Sequence, residues 1–205
     1  LIIHEFKQYS EEYWRAKNGK PSSSKFSCLV TGTGKPSTSL PKYALQLATE
    51  MYLGKPIDDG FGGNKYMDRG TELEPLSRSE YEMLRQVKVQ EVGLVTDDLM
   101  RYCTSTDGLI GDDGVAEFKN LISTTFMEAL IYYKKNKKTE PKYIPQLMGE
   151  LFITERKWVD LVLYNPAFSE PIIHRHYPNK EYFAVLEKQL MLCIAERNNI
   201  LKLVR

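Results

Sequence analysis

The chain has 205 residues, 42% of them hydrophobic and 27% charged, and a formal net charge of +1. That length suits one α/β domain or a domain with a small elaboration, and it can bury a real core. The near-neutral balance excludes a protein held to nucleic acid by overall charge, so such a partner would have to be met by local basic patches. No apolar run approaches the roughly 18 residues that span a bilayer, so no membrane partner is expected.

The opening stretch "LIIHEFKQYSEEYW" has no basic n-region and no small-residue cleavage site, so no signal peptide is expected. "SEEYWRAKNG" predicts a helix from Ser10 to near Gly19. "KPSSSKFSCLVTG" then offers Ser22, Ser23 and Ser24 as helix N-caps. "STSLPKYALQLATEMYLGK" is an amphipathic helix closed by Gly54, and "IDDGFGG" a loop. "NKYMDRGTELEPLSRSEYEMLRQ" is helical, with a kink expected at Pro75. "VKVQEVGLVT" and "MRYCTS" read as strands, followed by a hairpin of "DGLIG" and "VAEFKN" turning at Asp112-Asp113-Gly114. Two helices follow, "STTFMEALIYYKKNKK" and "KYIPQLMGELFIT", the second despite Pro145. "KWVDLVLYNP" and "PIIHRHYP" read as paired strands, and "NKEYFAVLEKQLMLCIAERNNILKLVR" as a closing helix. No repeat or low-complexity segment interrupts this order. It predicts an α/β or α+β fold, read as one domain over 1–205. The parts are a helical N-terminal portion (about 1–86), a sheet core (about 87–178) and a C-terminal helix (about 179–205). Cys28, Cys103 and Cys193 are odd in number and widely spaced. They argue against a disulfide framework or zinc ribbon and for reduced thiols in the cytoplasm.

The chemistry concentrates in "TSTDGLIGDDGVAEFKN", residues 104–120. Alternate strand residues share a face, so Glu117 and Lys119 point the same way as Val115, while Ala116 and Phe118 point to the opposite face. The hairpin can bring Asp107 alongside. Two converging carboxylates bind a hard divalent cation, most naturally Mg²⁺, and the backbone carbonyl of Phe118 could add an oxygen. A lysine beside the ion can hold the attacking water and neutralise charge at phosphorus. Two ions about 3.5–4 Å apart would hold the incoming and leaving oxygens. The stretch alone equally fits a surface hairpin with a charged edge.

Ser105-Thr106-Asp107-Gly108-Leu109 followed by Glu117-Phe118-Lys119 resembles the Asp…(Asp/Glu)-X-Lys nuclease superfamily. More narrowly, it resembles the phage lambda exonuclease type of alkaline exonuclease, the YqaJ-like viral recombinase group, with Thr106 in place of a proline. Further matching elements are Trp14, Arg15, Lys17 and Gly19 before Ser22–Ser24, then Gly70-Thr71-Glu72-Leu73-Glu74. Tyr143-Ile144-Pro145-Gln146 and Lys157-Trp158-Val159-Asp160 complete the set, which spans roughly 14–164.

The resemblance implies a restriction-endonuclease-like core with a central mixed sheet flanked by helices. It implies that Asp107, Glu117 and the Phe118 carbonyl hold Mg²⁺, two ions with Mn²⁺ able to substitute, and that Lys119 acts on the water. Glu74, Gln146 and Tyr143 would line the site. Lys17, or its rival Arg15, would bind a DNA 5′-phosphate with Ser22, Ser24 and Ser105, as a helix start rich in hydroxyls suggests. The implied activity is a 5′→3′ exonuclease on linear double-stranded DNA that releases 5′-mononucleotides and leaves 3′ overhangs. It would work as a homotrimeric ring with a single-strand annealing protein as recombination partner. The alternatives are a structure- or sequence-specific endonuclease on the same core, and an inactive DNA-end-binding ring.

Other features have bland readings beside the functional ones. Lys134, Lys135, Lys137, Lys138 and Lys142 fit a solvated helix end or contact with a DNA backbone. His174 and His176 share a predicted strand face but lack a nearby Cys or carboxylate motif for a metal. "DDGFGGN" lacks the Gly-Lys-Ser/Thr ending of a phosphate loop. Asp112, Asp113 and Gly114 lack the other ligands of a calcium loop. Phe126, Met127, Tyr132 and Tyr133 at helical spacing read as core or subunit contact rather than a base-stacking platform.

Overall fold

The computed structural model describes residues 1–57 and 65–204. The glycine-rich connection at 58–64 lies outside them. The elements are β1 (Ile2–His4), α1 (Glu11–Lys17), a 3-10 helix (Ser23–Cys28), α2 (Leu40–Leu53) and α3 (Lys65–Arg85). Then come β2 (Leu94–Thr96), β3 (Cys103–Thr104), β4 (Gly108–Ile110), β5 (Gly114–Asn120) and α4 (Ser123–Asn136). A 3-10 turn (Pro141–Tyr143), α5 (Ile144–Thr154), β6 (Trp158–Tyr164), β7 (Ile172–His176) and α6 (Lys180–Val204) complete the chain.

Strands β4-β5-β6-β7 form a mixed sheet, with β5 and β6 parallel and the outer pairs antiparallel. A separate antiparallel sheet, β1-β2-β3, stands beside it. β5 is buried on both faces, and its period-two pattern sorts its neighbours as expected. Val115 joins the main apolar cluster with Leu147 and Leu151 of α5. Ala116 and Phe118 join the opposite cluster with Tyr81 of α3 and Val162 of β6. The strand therefore runs between α5 and α3, and its Glu117-Lys119 face is the α5 face.

Local chemistry explains most boundaries. Ser10 caps α1, its hydroxyl accepting from the Tyr13 N–H, with Glu11 and Glu12 in the first turn and Arg15 and Lys17 in the last. Gly54, left-handed at φ 67°, ends α2. Pro145 sits in the first turn of α5, where a missing N–H costs little. α3 continues through Pro75. Gly149 lets α5 lie directly on the 3-10 helix, since a Cβ there would come within 2.4 Å of the Phe26 ring.

Three expectations change. The "helical" N-terminal part opens with a strand, β1, paired to β2. Of "VKVQEVGLVT" only Leu94–Thr96 is a strand, although Gln90 makes an isolated bridge to Leu109. The serine-rich segment is a six-residue 3-10 helix without a side-chain cap at Ser22. It is too short to present the aligned amides of an α-helix end.

Asp160, fully buried on β6, ties α3 to the sheet. It accepts from the Tyr81 hydroxyl at 2.7 Å and takes both Nε and Nη2 of Arg175 at 2.8 Å. The Arg175 guanidinium lies 3.6 Å from the Trp158 ring centroid. Tyr81→Phe removes one charge-assisted bond and should cost about 2 kcal/mol. A lowered urea midpoint at unchanged slope would register this, and an unchanged midpoint would refute it.

Candidate active site

Glu117 and Lys119 project from β5 towards α5, and Lys119 Nζ lies 2.6 Å from Glu117 Oε1. Gln146, in the first turn of α5, bridges them. Its Nε2 donates to Glu117 Oε1 at 2.7 Å and its Oε1 accepts from Lys119 at 3.0 Å. The same Nε2 donates to Oε1 of Glu150, one helical turn on, at 3.0 Å. Asp107 enters from the segment before β4, and its Oδ2 accepts the Phe118 N–H at 2.6 Å. The N–H and C=O of one strand residue point to the same side. The Phe118 carbonyl therefore faces the Asp107 edge, as does that of Ala116, which accepts the Thr106 hydroxyl.

Two of these acids are deeply buried, and Asp107 is half-buried. Glu117 is 3% exposed and Glu150 0%. Burial first, then Glu117 and Glu74, push the Asp107 carboxyl well above the usual carboxylate range. Burial and Glu117 do the same to Glu150. Burial opposes the charge on Lys119, but Glu117 and Asp107 more than offset it and hold its ammonium above the ordinary range. Three carboxyl groups thus lie within the field of one ammonium, which pairs directly with Glu117. The second oxygens of Glu117 and Glu150 are buried without a hydrogen-bond partner.

Glu74 of α3 lies across a cleft of about 340 Å³, whose walls include Gln8, Tyr9, Glu74, Arg78 and Asp107. Burial raises its pKa against the pull of Arg78, which it meets at 2.6 Å. Arg78 also pairs with Glu91. Tyr143 stands at the entry to α5 beneath Lys142, whose ammonium is 4.9 Å from its ring centroid.

A second cleft, about 120 Å³, is lined by Trp14, Lys17, Lys20, Ser22, Ser24 and Lys25, among others. Lys17 donates to the Tyr13 hydroxyl at 2.7 Å, and Ser105 meets that hydroxyl at 2.8 Å. A three-group chain thus connects this cleft to the segment carrying Asp107. Arg15 is not brought in: its side chain is 77% exposed and pairs with Glu11 on the outer face of α1. Ser23 is buried against Thr104 at 2.6 Å.

The profile of the YqaJ-like viral recombinase domain matches residues 12–157. The chain belongs to the YqaJ-like viral recombinase family. No curated protein matches it significantly. Among solved structures it is similar to an alkaline exonuclease, LHK-Exo, from Laribacter hongkongensis, with 28% identity over 95% of this chain and 96% of that one and a TM-score of 0.82. LHK-Exo in complex with dAMP gives 27%, the same coverage and 0.81. A phage-related exonuclease from Haemophilus somnus 129PT shares the fold at 12% identity, covering 91% and 96%, with a TM-score of 0.72. Family and fold together make this recombinase-family chain a nuclease of the exonuclease type, on a restriction-endonuclease-like fold.

The donor set of the recombinase-family site fits a hard divalent cation. Its free buried oxygens are carboxylate, and a backbone carbonyl faces the same edge. Among the described residues no three His, Cys, Asp or Glu side chains form a metal cage. One or two carboxylates with water is the usual complement for Mg²⁺. The paired histidines are otherwise engaged: both ring systems bond to the Thr139 hydroxyl, with His176 Nε2 at 2.8 Å. Burial, then His174, pushes His176 down to about 4. Lys134 and Lys135 occupy the last turn of α4, and Lys142 pairs with Glu140 at 3.0 Å. Phe126 is core, while Met127 is exposed.

Glu150 is the site residue that motif reading misses. Its signal is an acid four residues after Gln146 in the otherwise apolar "IPQLMGELFIT". The raised carboxyls also set a pH dependence. The folded state holds protons on Asp107 and Glu150 that the unfolded chain, titrating near about 4, releases. Without divalent cations, the contribution of these two groups to stability is therefore fully present below that value and is lost as pH rises towards their folded-state pKa values. Asp107→Asn should flatten the decline in melting temperature followed by circular dichroism in chelator, and an equally steep decline would contradict the assignment.

Proposed function

We propose that the protein is a Mg²⁺-dependent 5′→3′ exonuclease on linear double-stranded DNA, releasing 5′-mononucleotides and leaving 3′ overhangs for single-strand annealing. The observation that carries this is the meeting of Asp107, Glu117, Lys119 and Gln146 in one hydrogen-bonded cluster around buried Glu117. The dAMP bound to LHK-Exo supports a nucleotide-sized subsite. Asp107, Glu117 and the Phe118 carbonyl would hold Mg²⁺, two ions in our reading, with Mn²⁺ able to replace it. The ion supplies Lewis acidity and charge neutralisation at the scissile phosphate. Lys119 holds the attacking water and offsets charge growing on phosphorus. Gln146 keeps Lys119 and Glu117 in place, and Tyr143 and Glu74 bound the space. Lys17, Ser22 and Ser24, with Ser105 through Tyr13, would receive the 5′-phosphate. A lysine neutralises that group without the bidentate fork of an arginine.

Residues 1–205 are read as one nuclease domain that assembles as a homotrimeric ring and works with an annealing protein in the cytoplasm. An endonuclease on the same core is the second reading, favoured by no observation specific to it. Linear and closed-circular duplexes offered together separate the two, since an exonuclease spares the circle. Duplexes labelled at the 5′ or the 3′ end, with and without Mg²⁺, test polarity: early loss of the 3′ label would overturn it.

Glu117→Ala and Lys119→Ala should abolish cleavage while binding to DNA ends survives. Full activity in both variants would end the assignment of the site. Lys17→Met should raise KM for 5′-phosphorylated ends about 10-fold, one lost charge-assisted contact. It should leave 5′-hydroxyl ends nearly unaffected, and Arg15→Ala should change neither. A reversed pattern would move the phosphate contact to Arg15.

A further inference from the structure

α5 presents two polar side chains to the site, Gln146 and, one turn on, Glu150. A primary amide has two N–H bonds and one carbonyl, each needing a partner when buried. The Gln146 Nε2 meets Glu117 Oε1 at 2.7 Å and Glu150 Oε1 at 3.0 Å, and its carbonyl faces Lys119 Nζ at 3.0 Å. With both donors on carboxyl oxygens, the carbonyl has one direction left. Turned over, the amide would set its NH₂ against an ammonium and its oxygen against Oε1 of Glu117.

Glu150 makes poor sense as packing. It is fully buried next to Leu147 and Leu151, and its Oε2 has no partner. Burying a carboxyl that is half satisfied and close to other acids is costly, and an apolar side chain of similar size would pack at lower cost. A residue that burdens the fold in this way has its use in orientation rather than stability.

We infer that Glu150 is a positioning residue, which locks the amide of Gln146 and through it holds Lys119 and Oε1 of Glu117 in place. Oε2 of Glu117 is thereby left free in the site. The inference rests on the reading of Asp107, Glu117 and Lys119 as the cleaving groups and assigns Glu150 no contact with DNA. Its effect passes through Gln146, so removing either residue should produce the same defect.

The test is a double-mutant cycle on the full chain, with exonuclease kinetics on 5′-phosphorylated duplex and melting temperature in chelator. Glu150→Leu, which removes the acceptor, should lower kcat about 10–100-fold, the range found when partners that orient site ligands are lost. KM should stay unchanged, and the melting temperature should stay the same or rise. Glu150→Gln keeps an acceptor oxygen and should retain most of the activity. Gln146→Leu should match Glu150→Leu, and combining them should cost nothing further. Glu150→Met replaces Glu150→Leu if the latter does not fold. Near-normal kcat in Glu150→Leu beside an inactive Lys119→Ala overturns the positioning role and leaves the site reading intact. An undiminished extra loss from Glu150→Leu in the Gln146→Leu background, or a lowered melting temperature that tracks the activity loss, also overturns it. An active Lys119→Ala overturns the site reading itself.

Discussion

Lys119 is the ammonium around which three carboxyl groups gather, two of them buried, and the arrangement of the site follows from that shortage of positive charge. A buried acid without a countercharge is expelled, protonated or matched by other donors. Here the chain supplies donors piecemeal. Asp107 receives a backbone N–H from β5, Glu117 receives Lys119 and Gln146, and Glu150 receives the remaining amide hydrogen. Each donor comes from a different local geometry: a strand edge, the opposite end of an i, i+2 pair and the first turn of a helix. Moving any one element would strand an acid, so β4, β5 and α5 have to be placed together.

The rest of the fold supports that placement. α5 lies directly on the 3-10 helix where Gly149 meets the Phe26 ring, a contact that leaves no room for a side chain there. The Asp160–Arg175–Tyr81 cluster holds α3 against the other face of the sheet, and α3 carries Glu74 to the far wall of the cleft. The small β1-β2-β3 sheet has a different task. Its last strand runs beside Pro21–Ser23, with the Cys103 N–H donating to the Pro21 carbonyl at 2.9 Å. The residues after that strand lead directly to Ser105 and Asp107. The lysine-lined cleft and the acidic site are therefore opposite ends of one short stretch of backbone, linked through the Tyr13 hydroxyl.

Much of this was legible in the sequence because it depends on short-range periodicity. The Glu117/Lys119 face, the hairpin that brings in Asp107 and the α5 helix carrying Gln146 follow from periods of 2 and 3.6 that the packing respects. The different settings of Lys17 and Arg15 also follow from helical spacing. Lys17 lies four residues after buried Tyr13, whereas Arg15 lies four after exposed Glu11. Glu150 escaped because motif matching stops at Gln146, while helical spacing runs on to the next turn. The remaining misses depend on tertiary pairing. β1 is three residues long and exists through its partner β2, which local propensity cannot register. The serines around Ser23 satisfy every local rule for a helix cap, but the backbone turns there into a tight 3-10 helix packed on Gly149.

The charge pattern also bears on how a polyanion could approach such a site. A cluster with three carboxyl groups and one ammonium offers a phosphate little attraction of its own, and the chain's net charge of +1 supplies no compensating field. On the proposed function, the same surplus of acid serves two ends. It draws in a divalent cation, and that cation makes the site hospitable to a scissile phosphate. The 5′-phosphate is then met by cations of the protein's own, with Lys17, Lys20 and Lys25 lining one cleft. Separating the two kinds of positive charge, one exchangeable and one fixed, would let a DNA end be held at one cleft while hydrolysis at the other depends on the ion.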